Sequence, residues 1–317
     1  MPRLSDRTLG TVAAAALAGN LLLPHAAGAQ SVSVTGTRVS MTPPAGFVEA
    51  AEFPGFHHPE AEASIMVTEL PVPAAEMQRG MTRQALATKG ITVLSSTRTD
   101  VGGDAALLLQ VSQKAGGRDV LKWMLIGGDP TVTIMIVGGY PRAADPQLGA
   151  AMKRSVLSAS WGASGPADPF AGLLYRIDPS ARLKLAGRMS NMIMLTESGD
   201  SRLRSADEAF YSVGNSIGRM EIGDLAGFSE RRARQLPQTA ELRNVTGGPV
   251  IVDGLPGYEL LADATHAKTG REIKLYQVIV PSEGGYYIMI GLVTRERGPE
   301  MVPEFRNVTN TFRRASR

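Results

Sequence analysis

The 317-residue chain carries 33 lysines and arginines and 30 aspartates and glutamates, a formal net charge of +3, and it contains no cysteine. A charge so near balance gives no reason to expect nucleic-acid binding, which needs basic residues concentrated on one face. The lack of thiols excludes disulfides, thiolate metal sites and a cysteine nucleophile.

The first 29 residues are predicted to form a cleavable secretory signal peptide. Arg3 and Arg7 precede an apolar run from Leu9 to Leu23, and the stretch ends in Ala27-Gly28-Ala29, a small-x-small pattern that signal peptidase admits. The run is too short, and too rich in alanine and glycine, for a spanning helix. We therefore expect a mature protein that starts at Gln30, keeps no transmembrane anchor, and lies in the periplasm or is secreted.

The first half of the mature chain reads as strand, helix, three strands and helix. Residues 64–70 predict a strand and residues 74–89 a helix that Gly90 ends, with Met77, Met81 and Ala85 on its inner face. Three β segments follow at residues 107–111, 120–126 and 132–137. Asp145 is expected to cap the closing helix, with Pro146 in its first turn and Leu148, Met152, Val156 and Ala159 along its buried stripe.

The second half repeats this order. Residues 209–213 predict the early strand, Asp224 the cap of a helix, and residues 258–262, 273–280 and 286–293 the three β segments. A final helix carries Val302, Phe305, Val308 and Phe312 at helical spacing.

Matching landmarks indicate a duplication. The segment Gly117-Arg118-Asp119-Val120 corresponds to Gly270-Arg271-Glu272-Ile273, and Ile134-Met135-Ile136 recurs as Ile288-Met289-Ile290. Short connections favour antiparallel neighbours, and strands that are apolar on both faces favour helices on both sides of a sheet.

The predicted class is α+β, with two tandem α/β/α sandwich domains, each a mainly antiparallel sheet flanked by helices. Residues 30–162 form the first domain, residues 163–180 a linker that begins with a Gly/Ala/Pro stretch, and residues 181–317 the second domain.

The layout resembles the PsbP-like superfamily, which includes periplasmic DcrB-type proteins. The resemblance rests on Pro44-Ala45-Gly46-Phe47, the strand end Leu70-Pro71, the segment Gly103–Leu109 and the strand end Gly139-Tyr140-Pro141. It implies two tandem α/β/α sandwiches used as binding or accessory modules, and it implies no catalytic residue.

One pentapeptide matches the nucleophile elbow of hydrolases. Gly214-Asn215-Ser216-Ile217-Gly218 follows a predicted strand, and Asp253 or Asp263 and then His266 come later in the order of an α/β-hydrolase triad. The alternative is a glycine-rich turn, because Gly223 interrupts before a helix begins and the sheet is expected to be antiparallel.

Two groups of residues are candidate metal ligands. His57 and His58 stand beside two glutamates, types that suit zinc or copper, with a polar loop as the alternative. Met189, Met192 and Met194 carry thioethers that favour Cu(I), although along one strand Met189 would point away from the other two. Core filling is the alternative for these methionines.

The leading hypothesis is a periplasmic, non-enzymatic binding or accessory module without a cofactor, which presents its two domains to an envelope or periplasmic protein partner. A small-ligand or copper-binding protein and a serine hydrolase are the alternatives.

Overall fold

The computed structural model describes residues 30–163, 168–218 and 220–315. The predicted signal peptide and the end of the chain, residues 316 and 317, lie outside this part. Within the described ranges, the helices are all too short or too polar to cross a membrane.

The first unit is built on a seven-stranded sheet. Its elements in chain order are β1 Val32–Ser33, β2 Val39–Met41, β3 Val48–Glu49, β4 Gly55–His58, β5 Ala63–Leu70, α1 Ala74–Gly80, α2 Arg83–Ala87, β6 Ile91–Val101, β7 Asp104–Ala115, β8 Arg118–Gly128, β9 Thr133–Pro141, α3 Asp145–Leu157 and β10 Ser160–Trp161. The sheet order is β3-β4-β5-β9-β8-β7-β6, and every neighbouring pair is antiparallel.

The second unit repeats that arrangement strand for strand. Its elements are β11 Tyr175–Arg176, β12 Lys184–Met189, β13 Met192–Thr196, β14 Phe210–Asn215, α4 Leu225–Arg234, β15 Thr239–Val252, β16 Leu255–His266, β17 Glu272–Ser282, β18 Gly285–Thr294, α5 Gly298–Asn310 and β19 Arg313–Arg314. The order β12-β13-β14-β18-β17-β16-β15 is again antiparallel throughout. The predicted α+β class with two antiparallel sheets is confirmed.

Each sheet has an apolar cluster on both faces, because its central strands alternate between two buried sides. In the first unit α3 places Met152 and Val156 over one face, whereas α2 places Leu86 over the other. In the second unit α5 covers one face with Phe305, and α4 covers the opposite face with Phe228.

In β9 and β18, the residues that are equivalent in the structure differ by one position from the match predicted from the sequence. Gly138 lies opposite Trp123 and Gly291 lies opposite Tyr276, so equivalent residues here are 153 positions apart. The predicted match of Met135 with Met289 is therefore wrong. A slip of one residue reverses the face of a side chain, and the two methionines do belong to clusters on opposite faces.

Two of the helix predictions need correction. The single helix predicted at residues 74–89 is two short helices, because the chain breaks after Gly80 and Thr82 caps α2 by accepting from the Ala85 amide. Ala85 is consequently exposed. Asp145 is the first residue of α3 and makes no cap bond; its carboxylate accepts a hydrogen bond from the Tyr140 hydroxyl at 2.9 Å.

The helix beginning at Asp224 is confirmed. The Asp224 carboxylate accepts from the Gly227 amide at 3.0 Å, and Phe228 is buried inside.

The outermost strands β6 and β15 were not predicted. β6 is rich in polar residues, and β15 contains a Gly-Gly-Pro stretch and two irregularities in its pairing with β16. These strands are only partly buried, and their apolar residues do not recur at the regular alternation by which strands are recognised.

The predicted linker is largely part of the second unit. Tyr175 and Arg176 form β11, which pairs with β19, and Leu173 and Ile177 are buried in the core of that unit. Residues 164–167 lie outside the described ranges. The Gly/Ala/Pro composition ends at Pro169, and the apolar residues beyond it are core residues.

Candidate functional site

The two histidines do not converge. His57 and His58 are neighbours on β4 and so point to opposite faces of the sheet. The His58 Nδ1 accepts from the backbone amides of Glu60 and Ala61 at 3.2 and 3.1 Å, which occupies that ring nitrogen. Among the described residues, no group of three or more histidine, aspartate or glutamate side chains is placed to hold a metal ion.

The three candidate methionines share one face of the second sheet. Met189 and Met192 are direct partners across the turn between β12 and β13, and Met194 lies two residues further along β13. Direct partners in an antiparallel pair lie on the same face. The expectation that Met189 points away is therefore wrong, because the chain turns between Met189 and Met192.

The packing of these methionines follows from two glycines. A Cβ at Gly214 would lie 2.6 Å from Met192 Cγ, so Met192 lies over β14 where only glycine leaves room. A Cβ at Gly187 would lie 3.8 Å from Met194 Cε, so Met194 leans toward β12. Met194 is buried, whereas Met189 and Met192 are half-buried.

The hydrolase constellation is not assembled. The Ser216 hydroxyl accepts from the Tyr286 amide at 3.1 Å, at the end of the sheet where β16 begins. His266 is the last residue of the 12-residue β16. At the rise of a β-strand this places the two residues about 30 Å apart, so they cannot act as nucleophile and base.

The two candidate aspartates have other partners. A hydrogen bond from Arg314 lowers the pKa of Asp253. Hydrogen bonds from Asn244 and Lys274 lower the pKa of Asp263, at 2.8 and 2.9 Å. Both carboxylates are therefore held by partners other than His266.

The methionines of the chain divide sharply between the two faces. We call the face that carries α1, α2 or α4 the methionine face, and the face that carries α3 or α5 the closing-helix face. Among the described residues, the four methionines of the closing-helix side are fully buried: Met41, Met152, Met289 and Met301. The methionine face carries Met124 and Met194, which are buried, and six that are half-buried: Met66, Met77, Met81, Met135, Met189 and Met192. Met220 lies beside the turn between β17 and β18 and is exposed.

The strand register assigns several of these to the methionine face. In the first sheet Met66 lies opposite Val137, which lies opposite Met124. In the second sheet Met192 lies opposite Gly214, which in turn lies opposite Ile288 in the cluster under α4.

Part of this face extends beyond the helices. Helix α4 packs mainly against β15, β16 and β17, whereas Met189 and Met192 belong to β12 and β13. Near the same end of the sheet, Ile217 and Met220 are 45% and 46% exposed. This is an adaptable apolar surface, since methionine is unbranched and polarizable.

The two sheets meet beside this surface. Strand β12 lies against β5, and the Asn215 side chain donates to the Glu52 carbonyl at 3.1 Å. A cavity of about 170 Å³ at this junction is lined by Glu69 of the first unit and by Arg188 and Ser190 of the second.

Arg188 lies at the junction. Its guanidinium donates to the carbonyls of Ala171 at 2.6 Å and Ser190 at 2.7 Å, and no room exists beside it for a side chain at Gly36. Burial lowers the pKa of Arg188. Nothing in the sequence marked this arginine, because its partners are backbone carbonyls, which any residue provides.

No family model and no curated protein matches this chain. Solved structures that are similar include the cyanobacterial PsbP of Synechocystis sp. PCC 6803, at 12% identity over 42% of this chain and 92% of that one, with a TM-score of 0.32. The immunity protein TplEi of T6SS from Pseudomonas aeruginosa is 15% identical over 90% of this chain and 96% of its own, with a TM-score of 0.34. LpqN of Mycobacterium tuberculosis, involved in cell envelope biogenesis, is 14% identical over 43% of this chain and 79% of its own, with a TM-score of 0.28. These likenesses are too weak to assign the chain to a family.

Proposed function

We propose that this chain is an exported, non-enzymatic binding module that holds an envelope or periplasmic protein partner on its methionine face. The observation that carries the proposal is the division of the described methionines: those on the closing-helix side are all fully buried, whereas most of those on the methionine face are only half-buried. Flexible thioether side chains adapt to a partner surface at little steric cost. Exposed apolar patches of this kind mark interaction sites.

The β12–β13 hairpin concentrates this surface. Met189 and Met192 lie at its turn, outside the strands against which α4 mainly packs. Ile217 and Met220 extend the apolar area at the same end of the second sheet. A partner seated here would contact the second unit at this end of its sheet.

Site-specific photocrosslinking in the living cell tests this proposal. A photoreactive amino acid replaces Met192 or Met220 in the tagged full-length protein, and Ile251 serves as the control because it is the most exposed of the large apolar side chains, at 70%. We expect one protein adduct from both methionine positions and none from Ile251. Met220→Glu should remove the adduct formed from position 192.

Two results would overturn the proposal. Adducts from Ile251 but not from the methionine positions would place the partner elsewhere on the molecule. A catalytic turnover by the purified protein that one substitution abolishes would make it an enzyme.

A second candidate function is Cu(I) binding by Met189, Met192 and Met194, favoured by their common face on the β12–β13 hairpin. Three thioethers are a soft ligand set of the kind that Cu(I) prefers. Competition with a colorimetric Cu(I) chelator tests it: the triple substitution to leucine should weaken Cu(I) binding at least tenfold. The same substitution of Met77, Met81 and Met135 is the matched control, and equal effects of the two triples would dismiss the site.

A further inference from the structure

The outer edge of the first sheet is a long strand that is protected only near its start, where the pairing with β7 shifts between Val93 and Ser95 and Arg83 donates to the Val93 carbonyl. β6 pairs regularly with β7 from Ser95 to Val101, and this stretch contains no proline. An edge strand exposes a row of unpaired backbone groups that can template pairing with another chain.

The equivalent edge of the second sheet is protected. β15 has two interruptions in its pairing, left-handed backbone at Glu241 and Asn244, and Pro249 within the strand. Bulges and proline are the devices that prevent edge pairing. The same position in the repeat is therefore blocked in one unit and open in the other.

The hairpin turn shows which backbone groups of β6 point outward. Val101 pairs with Asp104 across Gly102 and Gly103, whose φ values of 64° and 95° are those of a two-residue type I′ turn. Such a turn makes Val101 and Asp104 a hydrogen-bonded pair, and these pairs alternate along an antiparallel ladder. The amides and carbonyls of Ser96, Arg98 and Asp100 therefore face away from β7.

We propose that two copies of this chain pair through β6, antiparallel, about a two-fold axis at Thr99. This register places Arg98 of each copy opposite Asp100 of the other, and both side chains are exposed on the same face. Asp100 accepts from the Gly103 amide through Oδ1 at 2.9 Å, which holds its carboxylate on the strand, and Oδ2 is the oxygen that would accept from the arginine of the second copy.

The neighbouring registers are excluded by charge. The outward amides and carbonyls of one copy must bond those of the other, and they belong to every second residue of β6. The two-fold axis can therefore move only from one residue to the next. An axis at Arg98 sets the two arginines against each other, and an axis at Asp100 sets the two aspartates against each other. Opposite charges directly across two strands stabilise a pair, whereas like charges destabilise it.

Sedimentation equilibrium of the mature full chain across a concentration series tests the proposal. We expect a reversible dimer that is weakened at least tenfold by Arg98→Asp and by Asp100→Arg, because the two-fold axis doubles each repulsive contact. The double variant Arg98→Asp/Asp100→Arg should restore dimerisation. Lys114→Asp is the matched control: it makes the same change in charge on β7 and should leave the dimer unchanged.

A chain that stays monomeric at hundreds of micromolar would overturn the proposal. So would a dimer that neither single reversal weakens, or one that the double reversal fails to restore. Circular dichroism of each variant shows that it is folded, and recovery in the double variant shows that the loss in the single variants comes from charge.

Discussion

The two units share one strand order but fill the space beneath the closing helix with different side chains. In the first unit Met152 of α3 lies over Gly138. In the second unit Phe305 of α5 lies over Gly291 and stacks on Tyr211, with ring centroids 5.7 Å apart. One topology therefore tolerates either a flexible aliphatic filling or a rigid aromatic one, because a glycine at the same strand position makes room for both.

The opposite face shows a second difference. The first unit carries two helices of seven and five residues, whereas the second carries the single ten-residue α4. The shorter helices bury fewer side chains, and Met77 and Met81 beside them are half-buried. The first methionine face is therefore the less firmly covered of the two.

The largest expected difference between the units comes from alanine at the paired glycines. In Gly291→Ala the new Cβ would lie 2.5 Å from the Phe305 ring, which other aromatic rings hold in place. In Gly138→Ala it would lie 2.4 Å from Met152 Sδ and 2.7 Å from Met152 Cγ, and an unbranched thioether side chain can shift more easily than a ring held between other rings. We expect Gly291→Ala to cost about 2 to 3 kcal/mol of unfolding free energy, and Gly138→Ala to cost less than half of that. Urea unfolding of both variants measures this, and equal losses would show that the aromatic filling is no more rigid than the aliphatic one.

Removal of helix caps should have a smaller effect. Asp224→Ala removes the bond to the Gly227 amide at the start of α4, and Thr82→Ala removes the bond to the Ala85 amide at the start of α2. We expect a loss of about 1 kcal/mol for Asp224→Ala and a smaller one for Thr82→Ala, because α2 buries only Leu86. Thermal unfolding of the two variants compares them. A larger loss for Thr82→Ala would mean that α2 contributes more to its unit than its burial suggests.

A further difference between the sheets depends on pH and vanishes in acid. Asp263 lies opposite Lys274 in the second sheet, where the first sheet has Ser112 opposite Leu121. Because hydrogen bonds lower the pKa of Asp263 in the folded state, its contribution is present above the ordinary carboxyl pKa and is lost as pH falls through the lowered value. We expect Asp263→Asn to cost about 1 kcal/mol near neutral pH.

Unfolding curves between pH 3 and pH 7 check this expectation. The difference between wild type and Asp263→Asn should shrink below about pH 4, where a free aspartate takes up its proton. Ser112→Ala in the first sheet is the control and should show no such dependence. A difference that stays constant with pH would show that the stabilisation does not come from the carboxylate charge.

Much of the architecture could be predicted from local pattern. The central strands of both sheets and the α4 cap at Asp224 follow from apolar periodicity and cap chemistry, and all are present. The closing helices are present too, but the predicted Ala159 and Phe312 lie just beyond their ends and are buried there. The duplicated order followed from landmarks in sequence. The exact pairing of equivalent residues in β9 and β18 did not follow, because Ile-Met-Ile matches Ile-Met-Ile in sequence whichever face of the sheet each residue occupies.

The candidate sites show where prediction from sequence stopped. A pentapeptide and a chain order suggested a triad around Ser216, but sequence separation carries no information about which end of a sheet a residue occupies. The face predicted for Met189 was wrong for a related reason. Two residues three positions apart lie on opposite faces within one strand, but on the same face when a two-residue turn separates them.

By itself, the sequence determined the elements that its periodicity dictates, the antiparallel class and the duplication, because these depend on residues close together in the chain. Only the tertiary structure decided which edges are open, which methionines share a face, and that Arg188 lies at the junction between the units. Those properties depend on contacts between residues far apart in sequence, and an edge strand such as β6 or β15, which is only partly buried, leaves no clear local pattern from which they could be derived.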